Sequence, residues 1–231
     1  MIRAILLDIE GTTTPIAFVH EVLFSYARDQ VKEFLASEAD AEDIARLREE
    51  HAADVSNGEH PPAELDAYVE WLIARDRKST GLKSLQGKIW RQGYTDGSLK
   101  SQVYADVAPA FARWRAQGLS INIFSSGSVL AQQLLFAHTN AGDLTKFIDQ
   151  YFDTNVGKKG EAASYRRIAE ALSLRAEEIL FISDVVAELD AATEAGMQTL
   201  LSIRPGNPPQ KDAEKYRAIH TFEDHFFFTL K

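Results

Sequence analysis

The 231-residue sequence contains no cysteine, and this absence excludes several kinds of chemistry at once. A chain without thiols has no disulfide framework, no thiolate nucleophile and no cysteine-ligated zinc or iron–sulfur cluster. The absence suits a reducing compartment, and we expect a cytoplasmic protein. No apolar run approaches the ~20 residues of a membrane span. Asp8 interrupts the N-terminal apolar run before it could act as a signal peptide, so we expect neither export nor membrane association.

Basic residues are in the minority, with 25 Lys and Arg against 34 Asp and Glu and a formal net charge of −9. A protein held to nucleic acid by phosphate contacts needs the opposite balance or a local basic patch, so we expect no nucleic-acid partner. Glycine (13) and proline (7) are too few for a low-complexity chain, and 45% hydrophobic residues is an ordinary globular composition. The length predicts one core with an inserted subdomain.

Four short apolar runs predict the strands of the core, and they lie at residues 2–7, 119–124, 178–182 and 198–203. Stretches with helical periodicity separate the last three runs. Strands that alternate with helices indicate an α/β fold with a doubly wound parallel sheet.

A helical insertion is predicted between the first two strands, because about a hundred residues there lack a comparable apolar run. Apolar positions instead recur at spacings of three and four, as in Val19, Val22 and Tyr26. We place the insertion at 16–95, so that 1–15 and 96–231 form the core. Its first part is acidic and its second part basic. These charges are either solvated helix faces or, for the basic part, a face turned toward an anionic substrate.

Ligands of an open parallel sheet bind beyond the carboxyl ends of the strands, so the residues that follow each apolar run are the informative ones. Polar residues occupy these positions after the first three runs, and a lysine precedes a predicted helix at 161–172; together they are Asp8, Glu10, Ser125, Ser126, Asp184 and Lys159. Their common location at one sheet edge favours a functional site over six unrelated surface residues.

The acidic members of this set predict a metal site. Two like charges ~4 Å apart repel by roughly 4 kcal/mol at an effective dielectric near 20, so clustered carboxylates favour a bound cation. Oxygen ligands alone point to a hard ion such as Mg²⁺. Glu188 and Asp190 follow Asp184 closely, and they either support the metal site or belong to a solvated helix face.

The serine-rich run at 125–128 follows a strand and opens a predicted helix. Backbone N–H groups at a helix start, together with a serine hydroxyl, can cradle a phosphate, whereas a plain helix cap is the alternative. With the acids and Lys159, the run suggests phosphoryl transfer to a carboxylate. One acid attacks phosphorus, Mg²⁺ and lysine neutralise the equatorial oxygens, and a second acid handles the proton on the leaving oxygen.

These residues resemble the motifs of the haloacid dehalogenase-like (HAD-like) phosphatases. The run DIEGT at 8–12 resembles the first motif, and Ser125, Lys159 and Asp184 stand at the positions of the second, third and fourth. The resemblance implies a HAD-like, Rossmannoid core whose helical cap is inserted between the first two motifs. The acid two residues after Asp8 is usually aspartate in those phosphatases and is Glu10 here.

Longer stretches are similar to one family, the enolase-phosphatases (acireductone synthases) of methionine salvage. They include DIEGTTTPI at 8–16, LKSLQGKIWR at 82–91, YFDTNVGKKGEAASY at 151–165 and RPGN at 204–207. The resemblance implies a monomeric enzyme with one Mg²⁺ per chain. Its substrate would be 2,3-diketo-5-methylthiopentyl 1-phosphate, which it would enolise and then dephosphorylate to 1,2-dihydroxy-3-keto-5-methylthiopentene. A generic Mg²⁺-dependent phosphatase of the superfamily, without enolase activity, is the alternative.

The resemblance also implies a role for each site residue. Asp8 would bind the metal and accept the phosphoryl group. Glu10 would give its backbone carbonyl to the metal, which leaves its carboxylate free for proton transfer. The remaining positions would bind substrate or metal: Ser125 and Ser126 the substrate, Lys159 the phosphate, and Asp184 the metal.

Overall fold

The structure, a computed structural model, describes residues 1–37, 39, 41–75, 77 and 79–223. The chain forms two compact units. One contains Met1–Val19 and the described residues from Lys100 onward, and the other is His20–Leu99. The assignment of 16–95 as a cap on a core of 1–15 and 96–231 stays a prediction, because compactness does not define a role. Among the described residues, no helix has the length and apolarity to cross a membrane.

A parallel sheet forms the centre of the first unit. In the described part of the chain it has six strands in the order β3-β2-β1-β4-β5-β6, all parallel. The strands are β1 (Ala4–Leu7), β2 (Ser120–Phe124), β3 (Gln150–Phe152), β4 (Ile179–Ser183), β5 (Gln198–Ser202) and β6 (Ala218–Ile219). The predicted doubly wound α/β fold is therefore confirmed. Every residue of β1 and β4 is buried, which explains their near-continuous apolar sequence.

In the described part of this unit, four α-helices connect the strands: α5 (Val107–Ala116), α6 (Val129–Ala137), α7 (Ala162–Leu172) and α8 (Val186–Glu194). Helix α7 is the most amphipathic in sequence pattern, since Ala162, Tyr165, Ile168 and Ala169 recur at helical spacing and are all buried. They pack in one cluster with side chains of β1, β2 and β4. Full burial of an isoleucine such as Ile168 stabilises the fold by roughly 1.5–3 kcal/mol.

The second unit is helical. A π-helical segment (Phe18–Leu23) leads into α1 (Phe24–Ser37), which is followed by α2 (Ala41–Ser56), α3 (Leu65–Ala74) and α4 (Thr80–Asp96). Helix α4 contains the LKSLQGKIWR stretch and approaches α1 closely at Gly93. A Cβ built on Gly93 would lie 2.6 Å from the ring carbon Cζ of Tyr26, so a larger residue here would force the end of the Tyr26 side chain to move. These helices agree with the prediction that the insertion is helical.

Charged residues of the second unit pair with one another. The ammonium of Lys88 lies 2.5 Å from the carboxylate of Asp43, which also accepts a hydrogen bond from Ser84 Oγ (2.9 Å). Arg77 Nη2 lies 2.6 Å from Asp54 Oδ1. Both aspartates are buried. In these two pairs, basic residues from the second part of the insertion neutralise buried acids from its first part. The four charges therefore belong neither to a solvated helix face nor to a surface that faces the substrate.

Candidate active site

Strand register brings the loops that follow β1, β2 and β4 to one edge of the sheet. Leu7 pairs with Ile123 of β2 and with Ile182 of β4. The Asp8 N–H continues the ladder and donates to the carbonyl of Ile182 (3.0 Å). The strand order reverses direction between β1 and β4, which is where open α/β sheets bind ligands. Asp8 and Asp184 follow the two strands that flank this point.

The loop after β1 folds into a tight turn against Asp184. The N–H groups of Thr13 and Thr14 both donate to the Ile9 carbonyl (2.9 Å each). Gly11 adopts a φ of +65°, in the left-handed region that favours glycine. A Cβ built on Gly11 would collide with the carboxylate of Asp184. The missing side chain at this position therefore allows the carboxylate of the β4 loop to approach the backbone of the β1 loop.

Lys159 joins two acids at this edge. Its ammonium lies 2.6 Å from Asp8 Oδ1 and 2.7 Å from Glu188 Oε2, and only 12% of its side chain is exposed. The preceding lysine, Lys158, differs completely, since 85% of its side chain is exposed and its partner is Glu161 at 3.7 Å. Of the two adjacent lysines, Lys159 alone contacts the buried acids.

Glu188 lies in the site, a position that the sequence pattern left open. It accepts a hydrogen bond from Ser183 Oγ (2.8 Å) in addition to its pairing with Lys159. Asp190 instead accepts a hydrogen bond from Tyr216 OH (2.6 Å). Residues two apart on a helix point about 200° away from each other, so one acid of α8 faces the site when the other faces away. The spacing of four from Asp184 is the sequence signal that could have selected Glu188.

Burial and neighbouring negative charge raise the pKa values of Asp184 and Glu188. Burial raises the pKa of Asp184 to about 7, and the negative charges of Asp8 and Glu188 contribute to the increase. Burial, followed by the charge of Asp8, raises the pKa of Glu188 to about 7. Burial alone would lower the pKa of Lys159, but the charges of Asp8 and Glu188 outweigh it and raise that pKa above its ordinary value. Asp8 and Glu188 thus share one ammonium, and Asp184 adds a third acid to the site.

The donor chemistry fits a hard divalent cation. Asp8 and Asp184 supply carboxylate oxygens from the loops after the adjacent strands β1 and β4, and backbone carbonyls of the turn at Glu10 are close by in sequence. Mg²⁺ retains several waters and needs only one or two protein carboxylates, and a cation would offset the excess negative charge. Among the described residues, no group of three or more His, Cys, Asp or Glu side chains is arranged so that it could hold a metal ion.

The serines lie on the neighbouring loop, between β2 and α6. Ser125 is buried, and its Oγ accepts a hydrogen bond from the Gly127 N–H (3.3 Å). The cap of α6 is Ser128, whose Oγ accepts from the Ala131 N–H (3.3 Å). Ser125 and the half-buried Ser126 are therefore not the cap of this helix. Within the described residues neither is hydrogen-bonded to Asp8 or Lys159.

Glu10 lies in the turn between Asp8 and Gly11. It is half-buried, and its backbone forms an isolated bridge with Thr14. The predicted residues thus fall into two groups. Lys159 contacts Asp8 directly, and Asp184 is close enough for the charges of both to act on its pKa, whereas Glu10 and the two serines belong to loops that leave the same edge of the sheet.

Known proteins resemble this chain over nearly its full length. The family model described as haloacid dehalogenase-like hydrolase matches residues 2–196. The protein named Enolase-phosphatase E1 from Synechococcus elongatus is 54% identical over 232 residues, covering 96% of this chain and 97% of the relative. The protein of the same name from Sorangium cellulosum is 51% identical over 230 residues, with 96% of each chain covered. The solved structure of the UTR4 protein from Saccharomyces cerevisiae has a TM-score of 0.80 and 38% identity, covering 97% of this chain and 100% of that one.

Proposed function

The chain belongs to the enolase-phosphatase E1 family of haloacid dehalogenase-like hydrolases, and from this premise we propose its reaction. It enolises 2,3-diketo-5-methylthiopentyl 1-phosphate and then hydrolyses the enol phosphate to 1,2-dihydroxy-3-keto-5-methylthiopentene and phosphate. This is the enolase-phosphatase step of methionine salvage. The observation that supports it most directly is the buried Lys159 ammonium at hydrogen-bond distance from Asp8, at the ligand-binding edge of the sheet.

The phosphatase half of the reaction uses Asp8 as the nucleophile. A carboxylate oxygen of Asp8 attacks phosphorus, an Asp8–phosphorus bond forms, and the bond between phosphorus and the substrate oxygen breaks. A proton must reach the departing oxygen, and a water molecule in the site supplies it. Water then hydrolyses the aspartyl-phosphate, which releases phosphate and restores Asp8.

Phosphate binding is divided between two loops. Lys159 holds the phosphate through its ammonium, which the pairing with Asp8 already places beside the nucleophile. Ser125 and Ser126 bind the substrate from the loop after β2. The hydroxyls of these two serines, rather than the first N–H groups of α6, would contact the phosphate, because the N–H groups of Val129 and Ala131 already donate to Asp153 and Ser128.

Enolisation requires a base that removes a proton from the carbon next to the carbonyl. Glu10 reaches one methylene further than the aspartate usual at this position, and we assign it this role. One Mg²⁺ per chain, held by Asp8, Asp184 and the backbone carbonyl of Glu10, would stabilise negative charge on the enolate and phosphate oxygens. Glu188 orients Lys159 and shares its charge.

The test follows enol absorbance and phosphate release together, with the diketo phosphate as substrate and with either Mg²⁺ or EDTA. We expect an absorbing intermediate that precedes phosphate, and we expect both signals to vanish with EDTA. Simple phosphate esters serve as comparison substrates. Release of phosphate from those esters but none from the diketo phosphate would favour a generic phosphatase and overturn the proposed reaction.

We also propose that the enzyme acts as a monomer in the cytoplasm. The absence of cysteine and the family resemblance support this setting. Light scattering of the purified chain, across a hundredfold range of concentration, tests the monomer. A mass of two or more chains at working concentrations would overturn it.

A further inference from the structure

The loop that carries Lys159 is held by side chains of the helix that follows it. Three side-chain donors of α7 reach backbone carbonyls of this loop. Arg167 Nη1 donates to the Val156 carbonyl (2.6 Å), Ser164 Oγ to Lys158 (2.7 Å) and Tyr165 OH to Lys159 (2.7 Å). The loop between β3 and α7 has no helix or strand of its own at these positions, so these bonds define its path.

Tyr165 is the donor with the most rigid surroundings. Tyr165 is completely buried, and its ring packs edge-on against the rings of Phe124 (5.5 Å between centroids) and Phe181 (5.0 Å). Phe124 ends β2, directly before Ser125, and Phe181 lies in β4, three residues before Asp184. The two strands that carry the site therefore fix the tyrosine ring, and the ring fixes the direction of its hydroxyl.

The aromatic cluster also borders the lysine side chain. The Lys159 ammonium lies 5.9 Å from the centroid of the Phe124 ring. The hydroxyl of Tyr165 thus holds the backbone of Lys159. The ring of Phe124, which packs against Tyr165, lies beside the side chain of Lys159. Burial raises the pKa of Tyr165 above its ordinary value, so the hydroxyl keeps its proton and remains a donor at working pH.

We propose that Tyr165 is a positioning residue for Lys159, and that its hydrogen bond to the Lys159 carbonyl sets where the ammonium meets the substrate phosphate. The proposal rests on the proposed function, in which Lys159 binds the phosphate. A flexible lysine has four rotatable side-chain bonds, and an anchored Cα limits the positions that its ammonium can reach. Small misplacements of charged groups are costly in such sites.

The experiment measures binding of inorganic phosphate by calorimetry in the presence of Mg²⁺, in a double-mutant cycle of Tyr165→Phe and Lys159→Ala. Both changes leave the Lys159 carbonyl in place. We expect Tyr165→Phe to weaken phosphate binding by about 10-fold to 100-fold when Lys159 is present. In the Lys159→Ala background the same change should alter binding by less than about twofold, because the positioned ammonium is gone.

Tyr216→Phe is the matched control. It removes a tyrosine hydroxyl that donates to Asp190 at 2.6 Å in the same unit, away from Lys159, and it should leave phosphate binding unchanged. The thermal unfolding temperature of every variant shows how much stability the substitution costs. If Tyr165→Phe does not fold, Ser164→Ala takes its place in the cycle, since that hydroxyl holds the neighbouring carbonyl of Lys158.

The outcomes separate this inference from the function on which it rests. Weakening by Lys159→Ala, with no effect of Tyr165→Phe, overturns the positioning role and leaves the proposed function intact. Equal losses from Tyr165→Phe in both backgrounds also overturn it, because they reveal a general structural defect. If Lys159→Ala itself leaves phosphate binding unchanged, the phosphate role of Lys159 fails and the positioning role fails with it.

Discussion

The Lys159 ammonium lies 2.6 Å from Asp8 Oδ1, although 151 positions separate the two residues in the chain. The contact joins the end of the first strand to the loop before α7. It places a positive charge beside the proposed nucleophile, where it can bind the phosphate under attack. Since Glu188 shares the same ammonium and Asp184 lies nearby, acids outnumber bases in the site. This imbalance underlies most of the predictions that follow.

Replacement of the nucleophile should separate activity from folding. We expect Asp8→Asn to lower the rate of phosphate release on the order of 10⁴-fold or more, since loss of a nucleophile removes a covalent step. The fold should persist, because the change removes one of several mutually repelling acids. Phosphate release and circular dichroism measure the two effects. Asp190→Asn, on the outer side of α8, is the control, and a fully active Asp8→Asn enzyme would refute the assignment.

Glu10→Gln should impair enolisation more than hydrolysis. A general base contributes about 10²-fold to 10⁴-fold, and glutamine keeps the size and backbone of the residue while it loses the base. Enol absorbance from the diketo phosphate reports the first step, and phosphate release from the preformed enol phosphate reports the second. If both steps fall equally, Glu10 acts on something that both share, such as the metal.

Asp184→Asn should raise the Mg²⁺ requirement. Loss of partners outside the ligand shell already costs about 10-fold to 100-fold in metal affinity, so a direct ligand should cost at least about tenfold. Magnesium titrations of activity and of thermal stability both measure the effect. An unchanged requirement in the variant, alongside a normal titration of Asp190→Asn, would exclude Asp184 as a ligand.

Stabilisation by Mg²⁺ should increase with pH. The pKa of Asp184 is raised from 3.8 to about 7 in the folded protein. A raised carboxyl pKa favours the protonated folded form, so its contribution to stability is complete below about pH 4 and is lost as the pH rises to about 7. Protons therefore compete with the metal for the Asp184 carboxylate below about pH 7. We therefore expect Mg²⁺ to raise the unfolding temperature more at pH 8 than at pH 6.

The comparison uses the wild-type chain with Mg²⁺ or EDTA at each pH. Asp184→Asn should flatten the difference between the two pH values, because its amide does not titrate. If the Mg²⁺ effect is equal at pH 6 and pH 8, then protons do not compete with the metal for the carboxylates of Asp184 and Glu188.

The helical unit should depend on the pair of Lys88 and Asp43. Lys88→Ala leaves the buried Asp43 carboxylate without this ammonium, and loss of one partner of a buried pair costs about 3–5 kcal/mol. Lys88 is partly exposed, so we expect about 3 kcal/mol in the free energy of unfolding, measured in urea. Lys158→Ala, at a highly exposed lysine, should cost little. Equal midpoints for the two variants would contradict the structural role of the pair.

Local sequence patterns determined the central elements of this protein. The apolar runs that became β1 and β4 are fully buried, and those of β2 and β5 are buried over most of their length, so their composition alone identifies them. Because parallel strands share a carboxyl edge, the positions of Asp8 and Asp184 after two such runs also followed from sequence. The edge strands β3 and β6 have only three and two residues, and pairing with neighbours defines them more than their composition does.

Tertiary structure decided which side chains meet. Glu188 and Asp190 carry the same kind of group on the same helix, and only the rotation of α8 against the sheet turns Glu188 toward Lys159. The hydroxyl of Tyr165 reaches the Lys159 carbonyl only because two strands fix its ring. The spacing of apolar residues in the sequence indicates which face of a helix or strand is buried. It does not report which distant groups share that buried space, since that depends on the packing of elements far apart in the chain.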